Sequence, residues 1–267
     1  MARQKIFNNL LKQIDMGKDG LNVGLSNGFN RLNEFLHGVQ RKTYYTIGGE
    51  TGSGKSSLAL HSFVYSPYVN LIDKSKLRIL YLSFELPKEE LLGKLTARHL
   101  YETAGVTTDI NELLSRGKHR ISDELYLKVV QTKDFFEEME DHFFIIDNPL
   151  SPKQIEDIIL KFTSQFGSFN KVVEETNDGL KIESLVYTPN VADSYLIVIL
   201  DHAGKIPGGS AKKQVIDEVS DLFVQYRNLT GISPVMVNQL NRDNSDVQRM
   251  RLGQVDPKLS DWKDTNC

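Results

Sequence analysis

Several short runs along this chain are apolar almost without interruption: Ile79–Phe84, Phe143–Ile146, Tyr195–Leu200 and Val235–Val237. Continuous apolar character over so few residues predicts strands buried on both faces. Thr43–Ile47, rich in β-branched and aromatic residues, predicts another strand. Between these runs, apolar residues recur at helical spacing. Leu91, Leu92, Leu95 and Leu100 follow Pro87, which suits a first helical turn. Ile155, Ile158, Ile159, Phe162 and Phe166 follow the capping pair Ser151-Pro152 and stop at Gly167. Val215, Ile216, Val219, Leu222, Phe223 and Tyr226 mark a third inward face. Strands alternating with helices predict an α/β fold, a central and mostly parallel sheet flanked by helices.

The remaining stretches fit less simply. Ile6, Phe7, Leu10, Leu11 and Ile14 form an apolar stripe over residues 3–16, closed by Gly17 and Gly20. This helix needs a surface to cover, on its own domain or on a neighbouring subunit, and the sequence leaves both open. Residues 102–140 predict two helical pieces with a charged surface, around Ile110–Leu114 and Leu125–Glu137. Residues 168–192 break the pattern: Val172-Val173 and Ile182–Val186 flank Asn177-Asp178-Gly179, a hairpin signal, and predict a surface insertion. From Asn241 to Cys267 the chain is polar and loop-like.

Composition narrows the class. At 267 residues, with 40% hydrophobic and 25% charged, the chain can bury the core of one large domain. No apolar run reaches the length of a membrane span, and no signal-peptide pattern opens the chain. Cys267 is the single cysteine, which excludes an internal disulfide or a cysteine metal cluster and makes a cytosolic location the default. A formal charge of -3 does not advertise a nucleic-acid binder, although a local groove can be basic on a mildly acidic protein.

The candidate chemistry begins at Gly49–Ser56, GETGSGKS, which fits the phosphate-loop pattern G-x-x-x-x-G-K-[ST] at every fixed position. Gly49, Gly52 and Gly54 let the backbone curl so that N–H groups of Glu50, Thr51 and Ser53 can cradle phosphate oxygens. Lys55 brings positive charge to the outer phosphates, and the Ser56 hydroxyl can hold magnesium. A helix from Lys55 towards Phe63, with Leu58, Leu60 and Phe63 as its apolar face, would aim its positive end at the same anion. Ser57 completes the candidate ATP-binding set. Magnesium on a triphosphate also needs an acid at the end of a neighbouring strand. Asp147 and Asp201 both follow apolar runs, and Asp201 ends the longer one, so it is preferred. Glu85, at another strand end, is the candidate base for an attacking water. Gln239, also at a strand end, can hydrogen-bond a terminal phosphate and report its loss.

Taken together, GETGSGKSS, LYLSFELPKEEL, YLIVILDH (195–202) and MVNQLNRD (236–243) resemble the ATPase domain of DnaB-type replicative helicases, a branch of the RecA-like motors. GLSNGFNRLNEFLHGVQ (24–40), FFIIDNPLSPKQIEDI (143–158) and LSDWKDTN (259–266) extend the resemblance over most of residues 20–267, in the family's order. It implies a RecA-like P-loop NTPase fold, ATP and Mg²⁺ as cofactors, and hydrolysis coupled to translocation on single-stranded DNA and to unwinding. It implies Glu85 as catalytic base, Lys55 on the phosphates, Ser56 and Asp201 on the metal, and Gln239 coupling nucleotide state to DNA. Asp147 becomes a turn residue leading into a helix. Channel-facing loops would carry the DNA contacts, here Lys205, Lys212 and Lys213, then Arg242, Arg249, Arg251 and Lys263. The implied partners are further copies of the chain in a six-subunit ring, and a primase or helicase loader.

The resemblance also divides the chain into a linker or docking helix at 1–20 and an ATPase domain at 21–267. It leaves 168–192 without a counterpart, and places the family's last strands and basic finger beyond Cys267. A cysteine at that point is also where a self-splicing insert would begin. Other readings share the phosphate loop: a RecA-like recombinase or clock-type ATPase, weighed against by SFELPKEEL and NQLNRD, and an ATP- and DNA-binding subunit or loader without its own catalysis. A small-molecule kinase fits least, since no lid-like arginine cluster follows the loop.

Overall fold

The computed structural model describes residues 6–20, 22–175, 181–208 and 212–239. Helices α1 (Ile6–Lys18) and α2 (Asn30–Leu36) precede strand β1 (Tyr45–Gly49). One helical run then joins α3 (Lys55–Leu60), a π turn (His61–Tyr65) and α4 (Ser66–Asn70), ahead of strand β2 (Leu77–Ser83). Helices α5 (Lys88–Ala104), α6 (Ile110–Leu113), α7 (Asp123–Gln131) and α8 (Lys133–Glu140) lead to β3 (Phe143–Ile146) and α9 (Pro152–Phe166). The chain continues through β4 (Gly167–Glu175), β5 (Lys181–Pro189), β6 (Tyr195–Asp201), α10 (Lys212–Thr230) and β7 (Ser233–Gln239).

The main sheet has the order β1-β7-β6-β2-β3, and every pairing in it is parallel. Because strand side chains alternate, each apolar run feeds two cores. Ile79, Tyr81, Ile197, Ile199, Val235 and Val237 pack beneath α3, the π turn, α4, α5 and α8. Leu80, Leu82, Leu196, Val198, Leu200 and Met236 pack beneath α9 and α10. Parallel strands also bring their C-terminal ends to one edge. The chain leaves β1 towards α3 and leaves β6 towards α10, with β7 lying between them. Such a divergence opens a crevice at the sheet edge, where open α/β sheets bind ligands.

Where elements differ from the pattern reading, the cause is local. Leu58 does not share a face with Leu60: it is 36% exposed, while Ala59, Leu60, Phe63 and Val64 enter the core. Residues two apart point to opposite sides of a helix, and at this turn only the Leu60 side meets the core. Through the π turn and into α4 the helix is enclosed all round, and Ser62 through Tyr68 are all buried. The piece expected around Leu125–Glu137 is two helices. They part at Thr132, whose hydroxyl donates back to the Val129 carbonyl at 2.7 Å and whose ψ is -1°. Ser151 and Gln154 form a reciprocal capping box at the start of α9.

Strands β4 and β5 form a separate antiparallel pair, in register from Gly167↔Pro189 to Glu175↔Lys181. The Tyr187 hydroxyl donates to the Thr163 carbonyl at 3.0 Å and ties the base of this pair to α9. The expected turn, Asn177-Asp178-Gly179, lies outside the described residues. Helix α1 forms where the stripe predicts it, yet Phe7, Leu10, Leu11 and Ile14 are all at least 43% exposed. Nothing among the described residues covers it. No helix among the described residues is long and apolar enough to cross a membrane.

Candidate nucleotide site

The sheet edge is assembled by register. Ser83 pairs with Asp201, Asp201 with Val237, and Gly49 with Gln239. Alternation puts these residues in phase with Tyr81, Ile199 and Val237, which face α3. The glycine loop, Asp201 and Gln239 therefore share one side of the sheet.

The loop itself is an open, solvent-facing turn. Gly52 and Gly54 have φ of 79° and 87°, left-handed values that a side chain would strain. A Cβ on Gly49 would lie 2.5 Å from Ser53 Oγ, so the loop closes this tightly only around a bare backbone. Gly54 precedes α3 without a side-chain cap, leaving the first N–H groups of the helical run directed into the loop. Lys55 Nζ donates to the Glu50 carbonyl at 2.7 Å, folding back across the turn. Gln239 Nε2 donates to Thr51 Oγ1 at 2.6 Å, so the end of β7 touches the loop directly. Ser56 is half-buried at the start of α3. Ser57 instead lines a groove of about 460 Å³ with Phe29, Leu58, His61, Lys94 and Arg98.

Asp201 is buried at the end of β6. Its Oδ2 accepts from the Tyr81 hydroxyl at 2.7 Å, while Oδ1 is buried with no hydrogen-bond partner among the described residues. An unmet buried carboxylate oxygen is costly, and either an ordered water or a cation can satisfy it. The residues present therefore fit a magnesium-bound nucleotide. Burial and the adjoining Asp201 carboxylate raise the Tyr81 phenol well above its ordinary value, so it stays a neutral donor. Tyr81→Phe leaves Asp201 unpartnered on both oxygens and is expected to cost about 1–3 kcal/mol. Urea denaturation checks this, with a lowered midpoint at unchanged slope as the expected result.

Glu85 follows β2, on a turn held by Phe84 N–H donating to the Asp201 carbonyl at 2.6 Å and by Ser83 Oγ donating to the Leu86 carbonyl at 2.5 Å. Its side chain is 40% exposed, and Oε2 stands 3.6 Å from Nε2 of the buried His202. Burial lowers the His202 pKa against the opposing pull of Glu85 and Asp201, so this contact is between a carboxylate and a neutral ring. Neither Tyr81 nor His202 stands out in the sequence as functional. Tyr81 is one letter in an apolar run, and nothing in linear order connects His202 with Glu85. The signal available was that His202 directly follows a buried strand ending in aspartate.

Asp147 stands apart from this group. Its Oδ2 accepts from the Lys88 backbone N–H at 3.1 Å, capping α5 across from the neighbouring strand, whereas α9 is capped by Ser151. Lys205 is exposed on a short 3₁₀ turn (Ala203–Lys205) after β6, and Lys212 and Lys213 begin α10. Arg242, Arg249, Arg251 and Lys263 lie outside the described residues.

With the geometry in place, comparison with known proteins is direct. The family model for the DnaB-like helicase C-terminal domain matches residues 24–266. No curated protein sequence matches the chain. Among solved structures, one described as a DnaB-like replicative helicase and its interactions with primase aligns with a TM-score of 0.67 at 16% identity. The alignment covers 99% of this chain and 53% of that one, so the chain spans about half the length of that structure. The likeness is one of fold, a RecA-like sheet with helices on both faces. Matched by that family model over nearly its whole length, this chain belongs to the DnaB-like helicase C-terminal domain family.

Proposed function

We propose that this chain is the motor of a replicative DNA helicase, hydrolysing ATP to translocate on single-stranded DNA and separate the duplex. One observation carries the reading. The phosphate loop after β1, Gln239 on β7, Asp201 on β6 and Glu85 after β2 meet at a single sheet edge, with Gln239 hydrogen-bonded to the loop. Membership of a helicase family supports it.

In this reading Gly49, Glu50, Thr51, Gly52, Ser53, Gly54, Lys55, Ser56 and Ser57 form the ATP-binding segment. Lys55 exchanges its bond to the Glu50 carbonyl for the outer phosphates. Ser56 and the Asp201 oxygen that lacks a partner among the described residues would hold magnesium, which would supply positive charge against the phosphates. Glu85 takes a proton from water. Gln239 is the relay: its contact with Thr51 links the loop to β7 and to the segment after it, where Arg242 follows. Lys205, Lys212, Lys213, Arg242, Arg249, Arg251 and Lys263 are the proposed contacts to DNA phosphates, which require charge and no sequence readout.

The assembly proposed is a ring of copies, probed through the uncovered stripe of α1, which would dock on the next subunit. A primase or loader is the proposed protein partner, and the cytoplasm the proposed setting. The test is ATP hydrolysis with and without single-stranded DNA, alongside mass in solution. DNA-stimulated turnover by a multi-subunit species is expected, and DNA binding that leaves turnover unchanged would overturn the motor reading. Leu10→Asp with Leu11→Asp should shift the mass towards monomer while folding stability changes by only about 0.5 kcal/mol per site, as for exposed positions. An unaltered mass distribution would remove α1 from the interface.

A further inference from the structure

We propose that His202 is a positioning residue for Glu85: its buried imidazole faces one carboxylate oxygen through Nε2 and limits where the base waits for its water. The proposal rests on the role of Glu85 given above.

The geometry gives the ring one direction. Its side chain is 7% exposed, and Nε2 looks towards Glu85 Oε2 at 3.6 Å. The ring lies against the backbone of Gly204, where a Cβ would come within 2.7 Å of Cε1 and 2.9 Å of Nδ1. Glycine at 204 is what lets the imidazole occupy this place. Nδ1 is buried without a hydrogen-bond partner among the described residues. Either ring nitrogen can carry a proton. On Nδ1 that proton would be buried and unmet, whereas on Nε2 it faces a carboxylate, a charge-assisted contact.

The backbone around the pair is already fixed. Phe84 N–H is bonded to the Asp201 carbonyl, and Ser83 Oγ to the Leu86 carbonyl, so β2 and β6 hold their exits at constant separation. What remains mobile is the Glu85 side chain, which is 40% exposed. At 3.6 Å the pair stands just beyond hydrogen-bond length, a gap that Glu85 would close when it engages. With Oε2 engaged, Oε1 is the oxygen left to accept the proton of water. Misplacement of a catalytic group by about 1 Å can cost on the order of 100-fold in rate, so a positioning contact has a measurable effect.

The experiment uses the whole chain and amides of two lengths. A glutamine at 202 carries its amide nitrogen to the place of Nε2, while an asparagine stops near Nδ1. His202→Asn is expected to lower kcat about tenfold with KM for ATP within about threefold, the pattern of a contact made in the transition state. His202→Gln should recover most of that loss. In a Glu85→Gln background neither change should alter the residual rate, because the two residues act as one unit. Independently of turnover, long-range ¹H–¹⁵N spectra at neutral pH should show His202 protonated on Nε2, with signals that move on Glu85→Gln. An Nδ1–H tautomer, spectra indifferent to Glu85→Gln, or equal rates for Asn and Gln would overturn the proposal. Wild-type turnover by Glu85→Gln would instead refute the base assignment, and the spectra would still report whether the contact exists.

Discussion

Glu85→Gln is expected to lower ATP turnover by about 10²–10⁴-fold, the range supplied by a positioned general base. The amide preserves size and hydrogen bonding and cannot take a proton from water. Nucleotide affinity should stay within about threefold, since the change removes an interaction made only on the way to the transition state. Folding should hardly respond: Glu85 is 40% exposed, and its ion-pair contact among the described residues is a long one, to the buried His202. Single-turnover hydrolysis beside equilibrium binding of a fluorescent ATP analogue measures both quantities. Unchanged turnover would transfer the role to another group, and lost binding would mean that Glu85 holds nucleotide.

Lys55→Ala is expected to act on the opposite quantity. The ammonium lies folded over the loop, bonded at 2.7 Å to the Glu50 carbonyl, and this weak exposed bond is what it gives up on meeting phosphate. Losing a charge-assisted bond of about 1.5–3 kcal/mol corresponds to about 10–150-fold in affinity for the triphosphate. Thermal stability without nucleotide should be nearly unchanged, and the stabilisation by added ATP, which grows with its ratio to Kd, should largely disappear. Unaltered affinity would remove the phosphate-loop assignment. The two variants together separate holding the substrate from cleaving it.

Much of this arrangement was legible in the pattern of apolar residues. Runs such as Tyr195–Leu200 gave their strands away because both faces of a parallel sheet are dry. The loop was legible because glycine and lysine at fixed spacing answer to one geometry, and its φ values at Gly52 and Gly54 follow. Strand order was not legible. Nothing in linear order says that β7 inserts beside β1 or that β6 lies next to β2, and these pairings are what bring Gln239 to Thr51 and His202 to Glu85. Tyr81 illustrates a second blind spot: a hydroxyl inside an apolar run reads as core, although its oxygen supports Asp201. Asp147 illustrates a third, since a carboxylate can cap a helix that precedes it in the chain. Leu58 was misread for a simpler reason, two residues of helical rotation. For α1, the apolar stripe forecast the helix, and its uncovered face is information only the fold could add.

The strand order also sets a timetable for synthesis. β1 is an edge strand among the described residues, and its neighbour in the sheet is β7, the last of the described strands in chain order. Thr51 and Gln239, which touch across the site, are 188 residues apart in sequence. At about 5–20 residues per second, the ribosome takes on the order of ten to forty seconds to deliver the second after the first. Throughout that interval β1 lacks its partner in the sheet, while β2 and β3 can already pair with each other. The phosphate loop is therefore translated well before the strand that completes its side of the sheet, and long-range parallel pairing of this kind is slow and exposed to aggregation. Chaperone demand during expression should fall on the nascent chain before β7 emerges.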